Sequence, residues 1–354
     1  MRTLTGIFGL VLGATMVADA FQTVIVARHA QNLPVITRLF FRVSWVLVAG
    51  AAGLVKSESR RDKYLGIYGP LSLLLLLGFW ALGLILAFAI LQWSADLRLD
   101  GSLSSFADDI FFSAAAFFTL GSGEPRNLLS KYFMVLEAGV GFSFLGLVIG
   151  YLPVLYQSFS NREFRILLLD ARAGSPPSAV EFLNRRGSNP EKLEERLADW
   201  EEWALNVLES HLSYPMLAYY RSHHASQSWL AALTAIIDVS ALVMLSAEGD
   251  LRRQAEFTFS AGRHALAHTA SVFRTRPRHP DQDRLPAEDF SRLRSAISAC
   301  QTSLQPERMS EAELRRLRAT YEPHAYALGR YFLMALPPWI PSKRASDSRQ
   351  FPPQ

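Results

Sequence analysis

Cysteine is nearly missing from this chain. Cys300 is the single one among 354 residues, so no disulfide closes within the chain and no thiolate pair is offered to a metal. Charge is scarce too: Asp, Glu, Lys and Arg make up 19% of the residues, with a formal net charge of +4. The basic residues are spread over both halves rather than gathered into a patch, which argues against nucleic acid as a partner. Catalytic signatures are also lacking. The sequence has no nucleophile elbow, phosphate-binding glycine loop or paired catalytic carboxylates. His264 and His268 stand four apart, as zinc ligands on a helix do, but the string reads His-Ala-Leu-Ala-His, without the intervening Glu of a zinc protease. An enzyme, a cofactor and a bound metal are therefore not expected.

What the chain has is a division. Half of its residues are hydrophobic, and they are distributed unevenly. Residues 1–157 are apolar with long uncharged runs, whereas 160–354 read like a charged, helical, soluble protein. About twenty apolar residues cross a bilayer's hydrocarbon core. The uncharged run 70–93 meets that length, opening at Pro70 and closing on Trp93, where an interfacial aromatic belongs. The run 132–156 meets it with one charge, Glu137. A third run, 4–26, is interrupted by Asp19. A signal peptide is its rival reading, given Arg2 and the small residues around Asp19, but the apolar stretch continues past the point of cleavage. In 36–55 only about thirteen residues, 43–55, are uncharged, and Arg38 and Arg42 share a helical face. That favours a helix lying in the interface over a span with snorkelling arginines.

Lysine and arginine set the orientation. Arg28, Arg38, Arg42, Lys56, Arg60, Arg61 and Lys63 mark 28–68 as cytoplasmic, and Arg162 and Arg165 do the same just after the last span. The segment 94–131 is then left on the opposite face. Within it, Ser104 or Ser105 is placed to cap a short apolar helix, with Asp108 and Asp109 in its first turn. That helix runs into Thr119-Leu120-Gly121-Ser122-Gly123-Glu124. Bare loop backbone is tolerated at membrane depth only when buried in protein or lining water.

Phe111-Phe112-Ser113 followed by Thr119 to Glu124 resembles, without gaps, the pore helix and filter of the potassium-channel family. The resemblance implies a homotetramer whose four loops meet on an axis, with carbonyls of Thr119, Leu120, Gly121 and Ser122 and the Thr119 hydroxyl replacing the water around K+ or another monovalent cation. Ser122 stands where that family has an aromatic and Glu124 where it has Asp, which weakens the expectation of strict potassium selectivity. The family's inner-helix hinge glycine would correspond to Gly141, Gly146 or Gly150. Glu137, within the membrane behind the loop, is functional by default and is expected to find a partner. The stretches 137–178, 209–215 and 226–230 also resemble a bacterial group of ion-channel, or two-pore-domain potassium-channel-like, proteins. Only one pore loop is present here.

The second half reads as helices. Pro190 to Leu208 is amphipathic, with Leu193, Leu197, Trp200, Ala204 and Leu208 on one face. The run 228–246 is apolar enough to pass for a span, but Asp238 interrupts it and basic flanks are missing, which favours a buried core helix. Further helices are expected over 248–272, 286–303 and 309–333, the last opening with a capping box of Ser310 and Glu313.

The expected architecture is all-α. It comprises an N-terminal span and basic loop (1–68), a helix–pore loop–helix module (69–158), a cytosolic helical bundle (159–336) and a disordered tail (337–354). The expected protein is a multi-pass protein of the cell (inner) membrane, in contact with the lipid bilayer. It is either a cation channel or a channel-derived scaffold or sensor that no longer conducts.

Overall fold

A computed structural model of the chain describes residues 2–26, 35–55, 57–95, 105–121, 127–174, 176–186, 189–222, 227–280, 283–300 and 303–341. Among these residues there is no strand. The helices are α1 (Arg2–Val24), α2 (Val35–Gly53), α3 (Glu58–Ala95), α4 (Phe106–Phe117), α5 (Leu128–Ala173), α6 (Ala179–Arg186), α7 (Pro190–Ser213), α8 (Trp229–Ser246), α9 (Gly249–Val272), α10 (Ala287–Ala299), α11 (Glu311–Ala319) and α12 (Glu322–Phe332). A 3-10 turn, Pro215–Tyr219, follows α7. Five helices are long and apolar enough to cross a membrane: α1, α2, α3, α5 and α8.

The chain divides into two compact units, Met1–Val48 with Pro70–Gln157, and Ala49–Gly69 with Ser158–Gln354. The N-terminal helices group with the 70–157 segment instead of forming a part of their own, and 49–69 groups with the second half. The physical reason in the first unit is a set of polar stitches between apolar helices. Asp19 of α1 is 4% exposed and accepts from the Thr37 amide and hydroxyl of α2 and from Trp80 Nε1 of α3, the last at 2.9 Å. Gly9 of α1 lies so close to α3 that a Cβ would stand 3.0 Å from the Ala87 carbonyl. Segment 4–26 is thus an integral helix of this unit. Segment 36–55 forms a helix of nineteen residues, with Thr37, Phe41 and Trp45 buried on one side. A side that supplies Asp19's partners makes α2 part of a helix bundle as well as a candidate span.

Two prolines lie inside helices. Pro70, expected at a helix start, sits within α3, which begins at Glu58; Pro153 sits within α5, which continues to Ala173. An interior proline costs roughly 3 kcal/mol of helix stability, so packing along these long helices has to offset it.

In the second unit α8 is the centre. Trp229, Leu230, Leu233, Ile237, Ala241, Leu242 and Val243 are essentially inaccessible. Ser228 caps the helix through the Ala231 amide. Helices α7 and α9 pack together and α9 packs on α8; the expected face of α7, Leu193 to Leu208, is buried as a stripe. Gly262 of α9 permits that approach, since a Cβ there would meet Ile237 Cγ1 at 2.6 Å.

Three expectations for the C-terminal region need correction. The helix over 309–333 is two helices, broken at Thr320 and Tyr321 ahead of Pro323, which cannot continue an i to i−4 ladder. Ser310 stands at the N-cap position of α11 but makes no side-chain cap bond. The tail is ordered at its start: the Pro337 carbonyl accepts from Arg284 Nε at 2.9 Å, the Trp339 carbonyl from the Val180 amide, and Trp339 is 1% exposed. Its indole covers the guanidiniums of Arg284 and Arg318, each 5.6 Å from the ring centroid. Residues 342–354 lie outside the described residues.

Those arginines belong to a buried ionic network. Asp238 of α8 accepts from Arg284 and from the Tyr321 hydroxyl. Glu322 accepts from Arg284 Nη1 at 3.0 Å and from Arg318 Nε at 3.2 Å, and Asp283 pairs with Arg318. Burial alone would lower the Arg284 guanidinium; Asp238, Tyr321 and Glu322 more than offset it and hold the group above its ordinary value. The acid that interrupts the apolar run 228–246 is therefore matched within the protein.

Candidate functional site

Helix α4 is a short apolar helix with a defined start. Ser105 accepts from the Ala107 amide, and Asp108 reaches back to the Ser105 amide at 3.1 Å, completing a capping box. Asp109, in the same turn, is 1% exposed. The helix ends where the motif begins. The Thr119 amide bonds to the Ala116 carbonyl at 3.0 Å and the Leu120 amide to Ala115 at 2.8 Å, which tie the first two motif residues to the last turn.

The backbone then takes left-handed angles. Gly121 has φ +69°, a region glycine enters without steric cost, and Thr119 has φ +56°. The second was not foreseen, because a β-branched residue seldom occupies that region. Holding it there costs of order 1–3 kcal/mol, and such residues cluster at functional sites. Thr119, Leu120 and Gly121 are all exposed. Ser122, Gly123 and Glu124 lie outside the described residues.

Glu137 is fully buried, and its partner is in α4. Ser113 Oγ lies in hydrogen-bond contact with Glu137 Oε1 and 2.8 Å from the Ile85 carbonyl of α3. One serine thus joins α3, α4 and α5 behind the motif. The second carboxyl oxygen, Oε2, is buried with no partner among the described residues. The partner expected for Glu137 is found in the helix that carries the loop. No local signal in the sequence marks that pairing, which depends on how α4 and α5 cross.

The three glycines separate cleanly. Gly141 faces the end of α4, where a Cβ would stand 2.0 Å from the Phe117 carbonyl oxygen, so no side chain fits. Its role is a close crossing of α5 over α4, two residues before Thr119. Gly146 and Gly150 are exposed with nothing within 4 Å of a Cβ. Helix α5 is unbroken through all three. Further stitches close the module at its other end. Ser130 Oγ donates to Gln92 Oε1 at 2.6 Å, and Asn127 Nδ2 to the Ala95 carbonyl at 2.9 Å.

The His264 and His268 rings lie with centroids 4.1 Å apart and planes tilted by 49°. No group of three or more His, Cys, Asp or Glu side chains placed to hold a metal occurs among the described residues.

Comparison with protein-family models, curated proteins and solved structures finds no match. The class is defined by the fold itself: an all-α protein with several helices long and apolar enough to span a membrane, hence a membrane protein.

Proposed function

We propose that this chain is the subunit of a potassium-channel-like cation channel, assembled as a homotetramer around four copies of the 119–124 loop. The observation that carries this reading is the junction of a capped apolar helix with a left-handed turn. Helix α4 ends at Thr119 and Gly121, both with positive φ, and is tied from behind through Ser113 to Glu137. A helix delivering backbone carbonyls into a re-entrant loop is chemistry for desolvating a monovalent cation. The exposed apolar face of α5, with Phe142, Leu145 and Ile149, fits lipid and neighbouring subunits. At 1.5 Å per residue α5 is about 69 Å long, more than twice a bilayer's ~30 Å core. Its C-terminal part therefore extends into water, and the second unit is cytosolic in this reading. The membrane is the cell (inner) membrane. If α2 spans as well, Arg2 and the basic residues Lys56, Arg60, Arg61 and Lys63 share the cytoplasmic side.

Ser122 favours a second reading, a channel-derived scaffold or sensor that does not conduct. It stands where a bracing aromatic belongs in the family the loop resembles.

Reconstitution into planar bilayers under mixed potassium and sodium gradients tests the choice. Wild type is expected to pass cation current. Gly121→Ala is expected to abolish it while the protein stays membrane-inserted, because a Cβ disfavours positive φ by about 1–2 kcal/mol. Ser122→Tyr is expected to move the reversal potential toward that of potassium. Normal current from Gly121→Ala excludes a carbonyl filter here, and a silent wild type in every ion tried favours the scaffold.

A further inference from the structure

One short segment of the second unit touches nearly every helix end around it. Residues 214–221, comprising the 3-10 turn and its flanks, sit between the parts of α3 and α5 that belong to this unit.

Arg162 of α5 is 3% exposed, and all five of its N–H groups have partners. Nη1 donates to the Leu217 carbonyl at 2.8 Å and meets His211 Nε2 at 3.3 Å. Nη2 donates to the Tyr220 carbonyl at 2.9 Å and to Glu163 at 3.1 Å; Nε also donates to Glu163. The guanidinium lies over the Phe159 ring, which in turn packs on Tyr220. Only the planar fork of an arginine satisfies this arrangement; a lysine offers three donors from one point.

The same segment holds α3. Tyr220 packs so tightly on Gly69 that a Cβ there would stand 2.7 Å from its ring. Tyr219 meets Tyr68 edge-on, and Arg221 reaches toward Asp62 at 3.9 Å. On its far side the segment holds the bundle. Tyr219 hydroxyl bonds with Tyr331, its ring packs on Phe273 and Phe332, and Arg221 donates to the Leu333 carbonyl at 3.1 Å. Trp229, which opens α8, donates to the Ala218 carbonyl.

We propose that segment 214–221 is a coupling hub through which the helical unit fixes the spacing of α3 and α5, the two helices that flank the pore loop, with Arg162 as its positioning residue. This rests on the channel reading for its functional consequence, but the hub itself is a structural claim. These contacts give a change in α8, α9 or α12 a route to α3 and α5, and interfaces of this kind shift between discrete packings rather than stretching.

The test uses the full chain in nanodiscs, in a Cys300→Ala background, with spin labels at the exposed positions Tyr64 and Phe164 and dilution by unlabelled chain. Arg162→Lys and Gly69→Ala are each expected to shift and broaden the 64–164 distance distribution. In bilayers they are expected to change open probability by about fivefold or more, in the range of ordinary coupling energies, with the reversal potential unchanged. Tyr219→Phe, which keeps the ring and removes the Tyr331 bond, is the milder variant and covers the case in which the others fail to fold. An unchanged distance distribution in all folded variants overturns the hub. A changed distribution with unchanged open probability overturns coupling. A changed distribution with a silent wild type upholds the hub and overturns the channel reading.

Discussion

Helices α5 and α8 have the same mean hydropathy in their most apolar windows, yet 11% of that window is buried within the protein in α5 and 89% in α8. The difference lies in what surrounds them. Around α8 the chain supplies α7 and α9, whose apolar faces match it, and a network of arginines for its single acid. Around the apolar middle of α5 it supplies a close crossing at Gly141 and a polar partner for Glu137, and leaves Phe142, Leu145 and Ile149 exposed. Hydropathy measures the tendency to leave water and is silent on whether lipid or protein will be the refuge. The polar atoms tell the two apart. The acid of α8 is met by the buried guanidinium of Arg284 and the Tyr321 hydroxyl, whereas the acids of α1 and α5 are answered by uncharged groups of neighbouring helices.

The largest expected effect breaks the α8 side of this contrast. Asp238→Ala removes the acceptor of Arg284 and Tyr321 and leaves a buried cation short of its counter-charge. It is expected to destabilise the second unit by about 3–5 kcal/mol, read as the shift of the denaturant midpoint of the detergent-solubilised full chain by near-UV circular dichroism. An unchanged midpoint would mean that α8 does not depend on protein partners in the way its burial implies.

A smaller effect probes the membrane-type stitches. Asp19→Ala takes away the acceptor of the Trp80 indole and of the Thr37 amide, which costs about 1–3 kcal/mol. Asp19→Asn keeps one acceptor oxygen and is expected to lose less. Thermal scans in detergent, following tryptophan fluorescence, check the ranking; equal losses from both variants would show that the charge rather than the hydrogen bonding matters.

The smallest effect is in pH. Burial, with Arg162 beside it, holds His211 well below its ordinary value of 6.5, so the folded protein keeps this ring neutral. Its unfolded counterpart takes up a proton as pH falls through that value. The unfolded state then binds more protons, and stability drops with falling pH by at most about 1.4 kcal/mol per pH unit below pH 6.5. Urea unfolding between pH 5 and 7.5 reads this slope, and His211→Gln is expected to flatten it. No change of slope on substitution would place the pH response elsewhere.

Much of this was legible in one dimension. The long apolar helices containing 70–93 and 132–156, the serine-capped start of α4, the buried stripe of α7 and the core character of 228–246 all follow from runs, periods and caps, which are local. Glu137 was legible as a buried acid, but its mate Ser113, twenty-four residues away, was not, because pairing across helices depends on how they cross. The two-helix break at Thr320, the order of 337–341 under Trp339 and the Arg162 hub were illegible for the same reason. Pro, Ser and charge read as a loose tail until two buried arginines need an aromatic cover.

The sequence by itself determined the all-helical class, the apolar runs long enough to cross a bilayer and the glycines of the loop, since these depend on residue type and short spacing. Only the tertiary structure decided which apolar helix is wrapped by the chain's own residues and which is left exposed, which glycine marks a close crossing of helices, and which acid meets which donor. Those outcomes are set by contacts between residues far apart in the chain, where the cost of an unmatched polar group or an overlapping Cβ is felt only once the helices are packed.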